Sequence, residues 1–354
     1  MTREEIYNAC LDSISKNPCL MMELATGTGK TKLSIDLVNH LCDTQFQDKQ
    51  PTMLLLVAKR VHKQTWQEEF DKWGGIKAKV TMECYESLKN HTGETFDFIV
   101  LDEVHHVKSE ARLLMLGSLK FKYMIGLSAT IPISLKKYLR YKFKSQFVSC
   151  DIIEAIEDDI LPEPEILLFP LKLDNRNYTE TWEINPKAKG PVVRGSYRDI
   201  WKYKKQKVHA ILSCTQRQKL MELNSLIEWE KGLFMRTRSK GMEAIWLHHC
   251  GERLAFLASC KNTVVNNILK LLKNYRTITF CKTIEQAEQL GKNCIHSKNA
   301  DADDTYNRFN SKKIKHITAV NILNENANLV DCKYAIFANL SSSDVIIPQR
   351  LGKL

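Results

Sequence analysis

The sequence predicts an α/β protein with two parallel-sheet units and a basic, helix-rich segment between them. Three observations lead there. Short, wholly apolar runs alternate with amphipathic stretches, the pattern of strands buried on both faces of a sheet. The alternation breaks at Leu161-Pro-Glu-Pro-Glu165 and resumes near Glu252. A glycine-rich loop, Thr26-Gly-Thr-Gly-Lys-Thr31, separates the first apolar run from a helical pattern. The expected division is 1–160, 161–251 and 252–354.

In the first unit the apolar run Leu20-Met-Met precedes the loop, and Leu33, Leu37, Val38 and Leu41 form one stripe of the helix after it. Met53–Val57, Phe98–Leu101 and Tyr123–Leu127 read as further buried strands. Trp66 and Phe70, four residues apart, mark a helix between the first two. Two prolines in five residues then make a stiff, extended connection at 161–165. Lys219 to Trp229 is the clearest amphipathic stretch of the middle segment. The last unit reads as helix Asn262–Leu272, strand Thr277–Phe280, helix Ile284–Leu290, and strands His316–Val320 and Tyr334–Ala338.

The chain of 354 residues carries a formal charge of +11, unevenly placed. Residues 171–250 hold sixteen Lys and Arg against eight Asp and Glu, a net +8 in under a quarter of the length. Such an excess points to a polyanionic partner. No apolar run approaches the ~20 residues that span a bilayer, and Met1-Thr-Arg-Glu-Glu5 has no secretory character, so a cytoplasmic location is expected (the host cytoplasm for a viral chain). Eleven cysteines without a CxxC pair read as reduced interior thiols. His248, His249, Cys250 and Cys260 match no common zinc spacing.

The chemistry is concentrated in the first unit. Gly27 and Gly29 let backbone N–H groups turn inward around a phosphate; Lys30 reaches the β and γ oxygens, and the Thr31 hydroxyl suits Mg²⁺. Thr26 and Thr28 complete the loop. The strict GxxxxGK[ST] pattern is not met, because Leu24 occupies its first glycine position. Asp102 and Glu103 follow the strand Phe98–Leu101, 72 residues after Lys30. An aspartate at a strand's carboxyl end can hold the magnesium, and the adjacent glutamate can orient and deprotonate water. Loop and carboxylates together supply what splitting a nucleoside triphosphate requires.

In these motifs the chain resembles the superfamily 2 helicases, specifically the DExH group of phage-, restriction- and repair-type DNA helicases. Thr26–Thr31 is similar to their motif I, Asp102-Glu-Val-His105 to motif II, and Leu127-Ser-Ala-Thr130 to motif III. The resemblance implies two RecA-like domains that use ATP and Mg²⁺, with His105, Ser128 and Thr130 coupling hydrolysis to domain movement. Val57–Arg60 with Gln64–Trp66, and Cys84–Leu88, are similar to segments that lie along the nucleic-acid backbone in that family. Ile278–Cys281, Ile295–Ser297 and Val320–Leu329 resemble its later motifs, with Asn326 where a glycine is usual.

Gln349-Arg-Leu-Gly-Lys353 resembles the start of motif VI, so Arg350 is a candidate catalytic arginine. Lys353 replaces the second arginine, and the second domain reads as incomplete at its C-terminus. A shortened form or impaired hydrolysis would each account for this, since a lysine lacks the planar fork of arginine. The family's adenine-reading glutamine has no counterpart in Thr2–Ile6, so ATP rests on the resemblance. The expected activity is ATP hydrolysis coupled to translocation on or unwinding of DNA, single-stranded or branched, in repair, recombination or replication. An RNA helicase and a nucleic-acid-binding protein with impaired turnover are the alternatives.

Within the basic segment, Tyr197–Lys207 interleaves aromatics with cations. It reads either as a nucleic-acid surface, with Trp201 or Tyr203 stacking on bases, or as an amphipathic helix with aromatics inward and lysines solvated. Lys136–Lys144 is similarly basic.

Overall fold

The computed structural model describes residues 1–320 and 329–339. The calls on Asn326, Gln349, Arg350 and Lys353 lie outside the described residues. Two compact units are present, the first covering Met1–Glu165 and the second starting at Ile166.

The first unit runs α1 (Arg3–Lys16), β1 (Cys19–Leu24), α2 (Lys30–Gln45), β2 (Thr52–Val57), α3 (Arg60–Lys72), β3 (Lys79–Cys84), β4 (Thr95–Asp102), α4 (Glu110–Ser118), β5 (Lys120–Ser128), α5 (Ile133–Phe143), β6 (Gln146–Cys150) and α6 (Ile152–Glu157). Its six strands form a parallel sheet in the order β3-β2-β4-β5-β1-β6.

The continuous apolar runs have a direct structural cause. In β4, Phe98 and Val100 enter one core with Trp66 and Phe70 of α3 and Leu37 of α2. Ile99 and Leu101 enter another with Leu116 of α4 and Leu139 of α5. Alternate residues of a strand point to opposite faces. A sheet covered by helices on both sides therefore needs apolar residues at every position. β1 and β2 divide their residues in the same way. Gly126 of β5 lies where a Cβ would overlap the Met21 sulfur of the neighbouring strand.

The second unit runs β7 (Glu180–Ile184), β8 (Val193–Ser196), α7 (Ile200–Gln206), β9 (Ala210–Cys214), α8 (Gln216–Thr237), α9 (Lys240–Ser259), α10 (Asn262–Leu271), β10 (Thr277–Phe280), α11 (Ile284–Leu290), β11 (Cys294–Ile295), α12 (Ala302–Asn310), β12 (His316–Ala319) and β13 (Tyr334–Phe337). It contains two sheets. β11-β12-β10-β13 is parallel throughout. The other, β7-β9-β8, pairs β7 antiparallel and β8 parallel to β9.

That three-stranded sheet was not expected from the sequence, which reads this segment as helix-rich. Its strands have four or five residues, and β7 and β8 are largely polar, so they carry little periodic signal. Helices α8 and α9 do fill the rest of the segment, and α9 runs through residue 251 to Ser259. All eleven cysteines are free thiols, nine of them buried. Burial raises the Cys10 thiol to about 12. Among the described residues no helix is long and apolar enough to cross a membrane.

Candidate nucleotide site

The strand register places three motif ends side by side. Glu23 of β1 pairs with Ser128 of β5, and Leu127 pairs with Asp102 of β4. Adjacent strands lie about 4.8 Å apart. The glycine-rich loop, the carboxylates and the Ser128–Thr130 segment thus share one carboxyl edge, where parallel sheets bind ligands.

The loop is built from its own backbone. Gly27 (φ 92°) and Gly29 (φ 93°) are in the left-handed region, which residues with a Cβ rarely adopt. Thr28 is fully buried and its hydroxyl donates to the Ala25 carbonyl at 2.8 Å. The Ala25 N–H in turn donates to Cys150 O at 2.9 Å, so β6 anchors the loop. Gly29 starts α2, whose free N–H groups and dipole favour an anion there.

Lys30 is partly exposed along its stem, but its ammonium is enclosed, donating to Leu24 O at 3.0 Å and Ala25 O at 3.3 Å. Burial lowers its pKa, against the opposing pull of Glu103 and Asp102. A desolvated cation between carbonyls and carboxylates favours a polyanionic ligand. Thr26 and Thr31 flank the loop, both half-buried.

Asp102 and Glu103 are 5% and 4% exposed. Trp66 donates its indole N–H to Asp102 Oδ2 at 3.0 Å, and the Tyr85 hydroxyl donates to Asp102 O at 2.8 Å. Both aromatics are buried. The family resemblance implies that their segments lie along a nucleic-acid backbone, yet these two side chains turn inward and bond the carboxylate strand end. Periodicity marks Trp66 as a core residue and gives no sign of its polar partner.

Glu103 is in the left-handed region (φ 53°, ψ 61°), which costs a non-glycine residue about 1–2 kcal/mol. The turn aims its carboxylate at the next motif. Ser128 Oγ lies 3.3 Å from Glu103 Oε2 and 3.0 Å from His105 Nδ1; Nδ1 is itself 3.3 Å from Glu103 Oε2. Ser128 Oγ also bonds the Thr130 carbonyl at 2.8 Å and accepts from the Thr130 N–H at 3.3 Å. One hydroxyl proton serves one acceptor at a time, so Ser128 can switch between Glu103 and the Thr130 loop.

Two contacts that the sequence did not signal secure this loop. Glu23 Oε1 accepts from the Ile131 N–H at 2.8 Å, and its other oxygen pairs with Lys136. His106 stacks on Tyr85 at 5.9 Å, while Arg112 bridges the His106 carbonyl (2.9 Å) and Glu86 (3.0 Å).

Beside the loop a cleft of about 840 Å³ is lined by Thr28, Gly29, Arg3, Tyr7, Lys32 and Trp73, among others. Its size suits a small ligand, and Trp73 presents a ring flanked by Lys32 and Lys72 at 5.2 and 4.5 Å. A larger cleft, about 1090 Å³, belongs to the second unit. Five glutamates line it, and its two lysines are paired with Glu222 (3.1 Å) and Glu180 (3.0 Å), so it does not suit a polyanion. His249, part of the cysteine–histidine group noted above, pairs with the buried Glu230 at 2.8 Å.

The two groups expected from the sequence to serve magnesium, the Thr31 hydroxyl and the Asp102 carboxylate, are hard oxygens. Among the described residues no group of three or more His, Cys, Asp or Glu is assembled to hold a metal. Two protein oxygens suit magnesium, which is commonly held by one or two carboxylates together with substrate phosphates.

Comparison with known proteins agrees with the fold. Residues 2–93 match the family described as Type III restriction enzyme, res subunit (ResIII). The chain is 21% identical to the DNA 3'-5' translocase XPB2 of Sulfurisphaera tokodaii, over 94% of this chain and 73% of that protein. In structure it is similar to the ATP-dependent Type ISP restriction-modification enzyme LlaBIII bound to DNA. That likeness has a TM-score of 0.56 and 14% identity, and covers all of this chain and 26% of the enzyme. It is also similar to S. cerevisiae Dbp5 bound to RNA and ADP BeF3, with TM-score 0.54 and 12% identity, over 99% of this chain and 79% of Dbp5. The chain thus shares with these proteins the RecA-like fold of parallel sheets. The ResIII match falls within the first unit.

Proposed function

We propose that the chain is an ATP-dependent helicase or translocase acting on DNA. The observation that carries this reading is the convergence of Lys30, Asp102 and Glu103 at one sheet edge, with Glu103 bonded to Ser128. The DNA-acting relative supports DNA as the track.

In this reading Lys30 and the N–H groups at the start of α2 bind the β and γ phosphates. Thr31 and Asp102 would hold magnesium, which would supply positive charge beside the phosphates. Glu103 accepts a proton from the attacking water as its oxygen bonds to the γ phosphorus and the bond to the β–γ bridging oxygen breaks, giving ADP and phosphate. Tyr7 and Trp73 offer flat surfaces to the base. Loss of the γ phosphate alters the environment of Glu103, and Ser128 passes this to Thr130 and the α5 loop. His105, bonded to the same hydroxyl, steadies the exchange. The domain assignment belongs to the same proposal: a nucleotide lobe (1–160), a basic insertion (161–251) and a second lobe (252–354).

The test is the steady-state ATPase rate with and without single-stranded DNA, duplex DNA and RNA. Lys30→Ala and Glu103→Gln should each lower the stimulated rate at least 100-fold. Full activity in both variants overturns the assignment, and stimulation by RNA alone moves the track from DNA to RNA. Lys353 in place of an arginine favours a second reading, a nucleic-acid binder with slow turnover; a wild-type rate unmoved by any nucleic acid that nevertheless binds would select it.

A further inference from the structure

The basic segment resolves into parts with different roles, and one of them has the chemistry of a single-strand-binding surface. In α7 and the turn before it, the aromatic residues divide between two faces. Ile200 is buried with Ile184, Ala210 and Leu212, and Tyr197 and Tyr203 pack against the same cluster. The Tyr197 hydroxyl donates to Glu222 at 2.8 Å, and burial with that partner raises its pKa to about 12. Tyr203 fills the space over Gly195, where a Cβ would lie 2.6 Å from its hydroxyl. Both tyrosines are partly buried and turned toward this cluster.

Trp201 points the other way and is 72% exposed. Tryptophan is highly buried on average, and leaving an indole in water forgoes a large apolar area. An ordinary amphipathic helix accounts for solvated lysines but not for this residue. Helical spacing puts Lys204 and Lys205 on its face, with Arg198 one turn before. Lys204 Nζ lies 5.2 Å from the indole centroid and bonds Glu222 at 3.1 Å, which orients the ring. Arg198 bonds the hydroxyl of Tyr178, a second aromatic that is 39% exposed. Residues 197–207 contain five cations and one acid, Asp199. Among the described residues, Lys202, Lys205 and Lys207 have no carboxylate within ion-pair distance.

We propose that Trp201, with Arg198, Lys202 and Lys205, forms a second nucleic-acid-binding surface, apart from the nucleotide lobe, that takes a single strand by stacking a base on the indole. Unpaired cations meet phosphates, and a flat exposed ring meets a base of any sequence. Duplex bases are already stacked on one another, so the indole selects an unpaired strand. An acidic protein would use the cations and leave the ring unused. The proposal rests on the nucleic-acid reading given above and adds a site to it.

The experiment measures binding of a labelled oligo-dT by the full chain without nucleotide, so that hydrolysis plays no part. Trp201→Ala should weaken binding about 5- to 100-fold, and Trp201→Phe should restore much of it. Lys202→Ala with Lys205→Ala should flatten the log Kd against log salt line by about 1.4. Trp229→Ala is the control: Trp229 is also well exposed, at 62%, but lines the glutamate-rich cleft, and its loss should leave Kd unchanged. Duplex binding should be far less sensitive to Trp201 than oligo-dT binding. Unchanged oligo-dT affinity in Trp201→Ala, or equal losses at Trp229, overturns the site; so does tighter binding of poly-glutamate than of oligo-dT. A wild-type chain that binds no nucleic acid would instead overturn the function from which the inference starts.

Discussion

Trp66→Phe isolates one bond in the candidate nucleotide site. The substitution keeps an aromatic ring against Phe70, 5.6 Å away centroid to centroid, but removes the N–H that donates to Asp102 Oδ2 at 3.0 Å. A hydrogen bond to a charged group contributes about 1.5–3 kcal/mol, and a buried oxygen that loses a donor keeps its desolvation cost. The smaller ring adds a cavity cost of order 1 kcal/mol. The expected loss of stability is therefore about 2.5–4 kcal/mol, a large share of the roughly 5–15 kcal/mol typical of a domain.

Two assays read it. Urea unfolding should show a lower midpoint with an unchanged slope. The Mg²⁺ concentration for half-maximal ATPase should rise several-fold, because a carboxylate no longer held in place binds the ion less well. Phe70→Leu removes packing from the same core without touching Asp102, so it should lower stability and leave the Mg²⁺ dependence alone. A Trp66→Phe chain within about 0.5 kcal/mol of wild type, with the same Mg²⁺ dependence, would refute the role given to the indole.

Other outcomes follow from the same geometry. Ser128→Ala should leave nucleotide affinity within about threefold but lower nucleic-acid stimulation of the ATPase at least tenfold, as measured by nucleotide titration and stimulated rates; equal stimulation would remove Ser128 from the coupling path. Gly126→Ala, where a Cβ meets the Met21 side chain, should cost about 1–3 kcal/mol in urea unfolding as the methionine is displaced. Asp97 is pushed up by burial, but bonds from Lys49 (2.8 Å) and Thr52 N–H (2.9 Å) outweigh this and hold its pKa below 3.8. Its contribution should be present above the unfolded carboxyl value and be lost as pH falls through the folded one. The stability gap between wild type and Asp97→Asn should thus be constant from pH 7 to 5 and narrow below pH 4.

Legibility followed physical cause. Strands β1, β2, β4 and β5 could be read because a sheet covered on both faces demands unbroken apolar runs. The conformation of the glycine-rich loop could be read because its glycines are required by left-handed backbone angles, Gly27 and Gly29 at φ 92° and 93°. β7 and β8 could not, since a small sheet with much exposed surface imposes no such pattern on four or five residues. Helical spacing also placed α8, but not its full extent from Gln216 to Thr237.

By itself the sequence determined which chemical groups are on offer: Lys30, Asp102, Glu103, His105 and Ser128 stand in short local motifs that residue type and order make recognisable. Only the tertiary structure decided which groups those side chains meet. Strand register brings Glu23, Ser128 and Asp102 to one edge, and α3 carries Trp66 across to the carboxylate 36 positions away. Along Tyr197–Lys207 the sequence presents aromatics and cations as equals. Packing against Ile184 and Leu212 separates them, because a helix has one side to bury: Tyr203 goes inward and Trp201 is left to the solvent.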